Sequence, residues 1–349
     1  MKRKNRMVSV CGLLLAGLLF GGCVGSEKNP SVTEGMAAVE ALDYETALEC
    51  FARAAESGED MRLIYRGQGL AYMGLTRYEE AVKALEQALV SDDGRPDSMD
   101  YDINFYLATA YYRAGDIQNC IKTYDAILAM RPKDRVAGFL RGSVLIESDF
   151  AKAKADFERI IELAPDDYDQ LLDIYTVLES HGYKEAGVVY LQSAIDRSSK
   201  ELTDYQKGRI YYHMQDYEKA GNYLEKARDS RDWEAVLLLG QTYEALGDYS
   251  YAISVYSDCI EKEQADPRIY NRLGMCRLEM QAYQEALAAF QAGIAIEEND
   301  MMQALKFNEI VTYERLGEFR KAASLMESYL AMYPDDAQAQ REQIFLKTR

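Results

Sequence analysis

The chain has 349 residues, 48% of them hydrophobic, which is ample material for a large core and, by length alone, for two or three compact domains. Its formal charge is −18, and because Lys2, Arg3, Lys4 and Arg6 all precede residue 23, setting those four cations aside leaves the remainder at −22. A surface so acidic repels phosphate backbones and anionic headgroups, so nucleic acid is excluded as a partner and any membrane attachment has to come from a separate device.

That device is written at the start. Met1 to Arg6 is basic, Met7 to Phe20 is apolar, and the run ends in Gly21-Gly22-Cys23 before the composition turns polar at Ser26-Glu27-Lys28-Asn29-Pro30. The order is that of a signal sequence. Residues Leu19-Phe20-Gly21-Gly22-Cys23 resemble the lipobox of bacterial lipoproteins, with Phe20 standing where that family usually has Leu. The resemblance implies a signal peptide over 1–22, lipid attachment at Cys23 and a lipidated tether over 23–30. The alternative is an uncleaved anchor helix, since the apolar run extended to Gly25 approaches the ~20 residues that span a bilayer. Both readings place the rest of the chain on the extracytoplasmic face of a bacterial membrane, because the basic flank stays inside.

Beyond the tether, a small residue followed four positions later by a large apolar one recurs nine times: Ala47/Phe51, Ala81/Leu85, Cys120/Tyr124, Ala153/Phe157, Ala186/Tyr190, Ala220/Leu224, Ala252/Tyr256, Ala286/Phe290 and Ala322/Met326. Successive small residues are 32 to 39 positions apart. Three residues before each small one stands a large one, aromatic in every case but Ile117, and each is expected to start a helix. An i, i+4 pair shares one helix face, so the small member lets a partner helix approach while the large member fills the space beside it. Twelve residues upstream, the partner supplies Gly35, Gly69, Ala108, Gly208, Gly240 and Gly274, and Tyr72, Tyr111, Tyr211, Tyr243 and Tyr313 follow at the next turn. This pattern resembles the tetratricopeptide repeat, whose period is ~34 residues. Gly208, Tyr211, Tyr217, Ala220, Leu224 and Ala227 carry it most fully. Pro132, Pro165 and Pro334 fall where family members often end their second helix, and the early Trp of the family is missing. The resemblance implies an all-α chain, an α-α superhelical solenoid of about nine helix pairs over 31–334.

Departures from the pattern are local. In the fourth unit Gly142 comes one place late, implying a turn one residue short; in the fifth and ninth, Ile174 and Ile310 replace the small residue, and looser packing is expected there. The longest interval places extra residues at Ser91 to Asp100, a polar stretch that reads as a protruding loop. Ser31-Val32-Thr33-Glu34 fits a capping box for the first helix, and Asp335-Asp336 can start a capping helix within 335–349. Cys50, Cys120, Cys259 and Cys276 match neither a zinc knuckle nor a CxxC motif; buried free thiols are expected, with a Cys259–Cys276 bridge as the alternative.

A stacked array presents a concave groove lined by the first helix of each pair. The resemblance places Phe105, Thr109, Tyr112 and Arg113, then Leu171 and Tyr175, then Tyr205, Arg209, Tyr212 and His213 along it. Tyr and Arg are frequent among binding hot spots. Tyr is also the large packing residue of this repeat, so the strip supports either contact with a partner or packing alone. The carboxylate clamp of chaperone-binding members is not reproduced, since Arg66 is followed by Leu70 and then by Asp102 and Tyr106. His181 and His213 are the only histidines, and there is no G-x-S-x-G elbow, phosphate loop or dinucleotide turn, so no catalytic residue, metal or cofactor is expected. Paired acids such as Asp92/Asp93, Asp166/Asp167 and Asp335/Asp336 read as helix caps. The leading expectation is an adaptor that binds a protein or peptide of the cell envelope. The alternative is a surface lipoprotein that binds glycans for a carbohydrate-uptake system, against which stand the single extra loop and the lone Trp233.

Overall fold

A computed structural model describes residues 28–91, 96–198, 201–228, 233–261, 266–297 and 299–349. The signal sequence, Cys23 and the centre of the 91–100 segment, with Asp92 and Asp93, lie outside the described residues. Among those described there are nineteen helices and no strand. Eighteen of them form nine consecutive hairpins: α1 (Pro30–Glu40) with α2 (Tyr44–Glu56), α3 (Met61–Gly74) with α4 (Tyr78–Val90), α5 (Ser98–Ala114) with α6 (Ile117–Met130), α7 (Arg135–Leu145) with α8 (Phe150–Leu163), α9 (Tyr168–Ser180) with α10 (Lys184–Ser198), α11 (Asp204–His213) with α12 (Tyr217–Ala227), α13 (Trp233–Ala245) with α14 (Tyr249–Glu261), α15 (Pro267–Glu279) with α16 (Tyr283–Ile294) and α17 (Met302–Arg315) with α18 (Phe319–Met332). A last helix, α19 (Ala337–Leu346), follows them. The chain divides into two compact units, Met1–Gly187 and Val188–Arg349, each built of stacked hairpins in the manner of an α-α solenoid.

The second helix of a hairpin starts on the expected large residue in eight of nine cases, and one residue late, at Lys184, in the fifth. Local chemistry sets the start. Asp43, Asp116, Asp149 and Asp216 each cap the helix that follows, accepting the amide of Thr46, Asn119, Lys152 and Lys219 respectively. The preceding first helix ends in a left-handed residue, after which the next amide reaches back five positions, as Asp216 N does to Tyr211 O at 3.0 Å. Glycine fills that left-handed place at Gly115, Gly182, Gly247 and Gly317, whereas Leu42, Thr76, Gln215 and Gln281 hold it with φ near +60° at a steric cost. The shorter fourth turn, 146–149, has no left-handed residue; Asp149 N bonds Leu145 O at 2.7 Å instead.

Close approach of the paired helices depends on the small residues. A Cβ on Gly208 would lie 2.5 Å from Leu224 Cγ, so only glycine lets α11 meet α12 at this distance. Small and large members of eight of the nine i, i+4 pairs are buried, from Ala47/Phe51 to Ala322/Met326. Each large side chain so buried contributes roughly 1.5–3 kcal/mol.

The fifth hairpin departs from this register. Ala186 and Tyr190 are only half-buried, while Gly187, Leu191 and Ala194 turn inward. The small/large pair has therefore slipped one residue, to Gly187/Leu191, and the residue twelve positions before Gly187 is Tyr175. Its ring occupies the space a side chain at 187 would need, with Cδ2 2.8 Å from where a Cβ would stand. Large and small have exchanged sides of the hairpin, and Ile174 is fully buried beside Tyr175. In the ninth hairpin Ile310 is likewise buried, packed with Ala322 and Met326.

The N-terminal end also departs from expectation, whereas the last helix starts where Asp335-Asp336 placed it. Helix α1 starts at Pro30 with Asn29 as N-cap and has no side-chain cap bond of its own, so the expected capping box does not form. Its free amides are taken from a distance: Ser31 N and Val32 N donate to the two carboxylate oxygens of Glu59 at 3.0 and 2.9 Å. Desolvation acts to raise the Glu59 pKa, but the Val32 and Ser31 amides outweigh it and hold the group below the usual carboxylate range. Helix α19 is capped by Asp336, which accepts from Gln338 N and Ala339 N at 3.0 and 3.1 Å. Asp167 plays the same part for α9, accepting from Gln170 N at 3.1 Å. Cys50, Cys120, Cys259 and Cys276 are all free and buried.

Candidate functional site

The first helices carry the side chains that could meet a partner, and each unit has its own set. In the N-terminal unit, α5 presents Phe105, Thr109, Tyr112 and Arg113. Phe105 is 5% exposed, its ring 4.9 Å from Tyr101 and 6.3 Å from Tyr124, so it belongs to the core and is not a contact residue. Thr109 donates to Phe105 O at 3.0 Å; Tyr112 and Arg113 remain half-buried on the outer flank. On α9, Leu171 and Tyr175 are both buried, Tyr175 at 1% exposure, with its hydroxyl donating to Glu179 Oε1 at 2.8 Å. The one-residue slip of this hairpin turned them inward, which removes Tyr175 and Leu171 from the groove set.

In the C-terminal unit, α11 brings Tyr205, Arg209, Tyr212 and His213 together. The Arg209 guanidinium lies 5.4 Å from the centre of the Tyr205 ring, and Tyr212 meets His213 and Tyr217 edge-on, each at 5.6 Å. All four are half-buried, and Tyr205 and Tyr212 lean on the core around Leu224 and Val236. The next first helices extend this flank. On α13, Glu244 accepts from Tyr256 Oη at 2.5 Å and from Arg272 at 3.2 Å. Burial, with Glu244 beside it, pushes the Cys276 thiol up to about 12, so it stays protonated. From α17, Asn308 donates to Asn271 Oδ1 of α15 at 2.8 Å. Glu244 and Asn271 went unnoticed at the level of sequence, although the offsets that relate Tyr212 and Tyr205 to Gly208 find them from Gly240 and Gly274.

Most of the arginines on the first helices are already engaged. Arg62 binds Asp97 and Asp100 of the next hairpin at 2.8 and 2.6 Å, and Arg66 binds Asp102 at 2.5 Å. Arg135 pairs with Asp167, and Arg141 grips the buried Asp156 through Nε and Nη2 while reaching Asp125 at 2.6 Å. The tyrosine of α5 does the same work as these arginines: Tyr101 donates to Asp134, and the Arg131 guanidinium sits 3.4 Å above its ring. Desolvation, followed by Asp134, pushes the Tyr101 hydroxyl up to about 12. A ladder thus runs from one first helix to the N-cap of the next, and the stretch expected to protrude ends in it, since Asp97 caps α5 and Ser98 to Asp100 form its first turn.

Models of the tetratricopeptide repeat match residues 32–96, 66–135, 205–267 and 267–300, which together cover more than half of the chain. The chain belongs to the tetratricopeptide repeat family. It is similar to Hsp70-Hsp90 organizing protein 3 of Arabidopsis thaliana, 25% identical over 315 residues that cover 84% of this chain and 52% of that protein. It is also similar to tetratricopeptide repeat protein 21B of Xenopus laevis, 23% identical over 167 residues, which are 46% of this chain and 12% of the relative. The chain therefore spans between about an eighth and about half of the length of these curated relatives. Among solved structures, a tetratricopeptide repeat protein from Parabacteroides merdae superposes with a TM-score of 0.47 at 14% identity, covering 72% of this chain and 98% of that one. In this tetratricopeptide repeat chain the flanks of α5 and α11 offer aromatic faces, a guanidinium and hydrogen-bonding groups. His181, in the turn after α9, lies with Nδ1 2.8 Å from Val177 O. Among the described residues no group of three or more His, Cys, Asp or Glu side chains is placed to hold a metal.

Proposed function

We propose that this chain is an adaptor held at the outer side of a bacterial membrane by a lipid on Cys23, which takes up an envelope protein or peptide along the concave face that the first helices form within each unit. As a tetratricopeptide repeat protein it is a protein-binding helical scaffold, and the anchor and the groove are the added steps. The observation that carries the reading is the division of labour on α5 and α11. One face of each is consumed by the close approach at Ala108 or Gly208, while Tyr112, Arg113, Arg209 and Tyr212 stay half-exposed on the flank. Rigid aromatic side chains with a polar edge bury large area on binding at little entropic cost. Arg66 is held by Asp102, so it does not supply the cation of a carboxylate clamp.

The test is crosslinked capture from envelope membranes with the mature chain, alongside a Tyr112→Ala, Arg209→Ala, Tyr212→Ala variant. Tyr175 is left intact because it is part of the core. Retention of the same proteins by the variant would remove the groove from consideration. Incorporation of an azido fatty acid into the native chain but not into Cys23→Ser supports the anchor, and equal labelling of the two overturns it.

A further inference from the structure

The first helices of the N-terminal unit carry five arginines, and four of them end on carboxylates of other helices or their caps. Arg62 reaches Asp97 and Asp100, Arg66 reaches Asp102, Arg135 reaches Asp167, and Arg141 reaches Asp125 and Asp156. Arg113, in the last turn of α5, is different: among the described residues it has neither an ion pair nor a hydrogen bond. The acids nearest it in sequence are spent. Asp116 accepts from the backbone and side-chain amides of Asn119 at 3.1 and 2.8 Å, Asp102 holds Arg66, and Asp125 holds Arg141. Arg113 is half-buried, yet no nitrogen of its guanidinium is closed off from solvent, so its donors stay open beside Tyr112. A cation in the last turn also answers the helix dipole, but lysine would do that equally well. Only a guanidinium offers a planar fork that matches a carboxylate with two parallel hydrogen bonds.

We infer that Arg113 is a specificity residue for an acidic side chain: the segment bound along the first helices of this unit carries one Asp or Glu, whose carboxylate completes the pair that the chain leaves open. The inference rests on the groove reading above and adds to it the chemistry of one partner position. Charge limits that position to a single acid. An unopposed cation draws in one carboxylate at contact distance, whereas a net charge of −18 turns away a segment that carries many. The rest of the segment is therefore neutral or basic, and Tyr112, next to the arginine, takes an apolar or aromatic neighbour of the acid.

Dodecapeptides displayed on phage and selected on the chain supply the probe. Those that bind should share an Asp or Glu at a fixed distance from an apolar or aromatic residue. Replacing that acid by its amide in a synthetic copy should weaken binding roughly tenfold, the loss of one charge-assisted contact. In Arg113→Glu the order should invert, with lysine at that position preferred over the acid; in Arg113→Lys the acid should still be preferred, by a smaller factor. An effect of Arg113 on helix stability alone would change the affinity for every peptide by the same factor and would not move the preference at one position. Selected peptides without a shared acid, or a preference for the acid that is the same in the native chain and in Arg113→Glu, overturn the inference, as does failure to select any peptide. Should the Tyr112→Ala, Arg209→Ala, Tyr212→Ala variant bind the selected peptides as tightly as the native chain, the groove reading itself has failed. Should that variant lose them while the acid preference ignores Arg113, only the present inference falls.

Discussion

The slipped register of the fifth hairpin reverses the sign expected of one substitution. In an ordinary helix, Gly→Ala at an inner position gains up to about 1 kcal/mol of helix propensity. If Ala186 and Tyr190 were the inward pair, Gly187 would sit on the flank and Gly187→Ala would stabilise by about that amount. With Gly187 inside, its new Cβ meets Tyr175 Cδ2 at 2.8 Å and Tyr175 Cα at 3.5 Å. The ring cannot step aside, because its hydroxyl is tied to Glu179 and it is 1% exposed. Overpacking of this kind costs about 1–3 kcal/mol, so the net effect is a loss of up to about 2 kcal/mol. Ala186→Leu, half out in solvent, should cost less than about 0.5 kcal/mol in the same chain. Because repeat arrays need not unfold in one step, the assay should be local. Exchange protection in peptides from α9 and α10 reads this hairpin, while the fluorescence of Trp233 reports on α13. If Gly187→Ala raised protection in α9 and Ala186→Leu abolished it, the slip would be refuted and Tyr175 would return to the groove.

The left-handed turn residue Thr76, φ +59°, is β-branched, so Thr76→Gly should raise the urea midpoint by an amount equivalent to about 1 kcal/mol, and no change would mean the turn is unstrained. Asp97 is held down to about 2, chiefly by the Arg62 hydrogen bond. A lowered carboxylate pKa adds stability that is present above the unfolded value of 3.8 and is lost as pH falls through about 2. Protection of α5 should therefore fall on acidification across that window, and less steeply in Asp97→Asn, which a pH titration by exchange or circular dichroism measures. Glu59→Ala leaves the Ser31 and Val32 amides without their carboxylate, so α1 should exchange faster while α3 is unaffected; equal exchange in the two chains would show that water serves α1 as well.

What the sequence made legible was whatever repeats. Eight second helices begin on the expected residue and eight small/large pairs are buried, because a period enforced at every hairpin averages out any single deviation. A slip of one residue inside one repeat is invisible to that reasoning. Ala186/Tyr190 and Gly187/Leu191 are both acceptable i, i+4 pairs, and only the tertiary choice of Tyr175 as the large partner separates them. The missed cap at Glu59 has a related cause. A Ser-x-x-Glu pattern is local, but the bond that formed joins residues 28 and 27 positions apart, and no spacing rule reaches that far.

The candidate groove was the least legible part, because the same residue types serve both stacking and recognition. Tyrosine is the large packing residue in Tyr256 and a flank residue in Tyr212, and arginine is an inter-hairpin strut in Arg62, Arg66 and Arg141. Once each strut has its carboxylate, the flank chemistry left in the α11 set is mainly aromatic and neutral, despite an overall charge of −18. The negative charge spread over the rest of the surface then acts against acidic partners at a distance, while the half-exposed rings decide close contact. Such a division favours a neutral or basic segment that offers apolar or aromatic side chains. Binding governed in this way should weaken only modestly as salt rises, because the steering charge is screened and the aromatic contact is not. A partner whose affinity falls steeply with ionic strength would instead place the binding energy in the acidic surface and leave the tyrosines of α11 to packing.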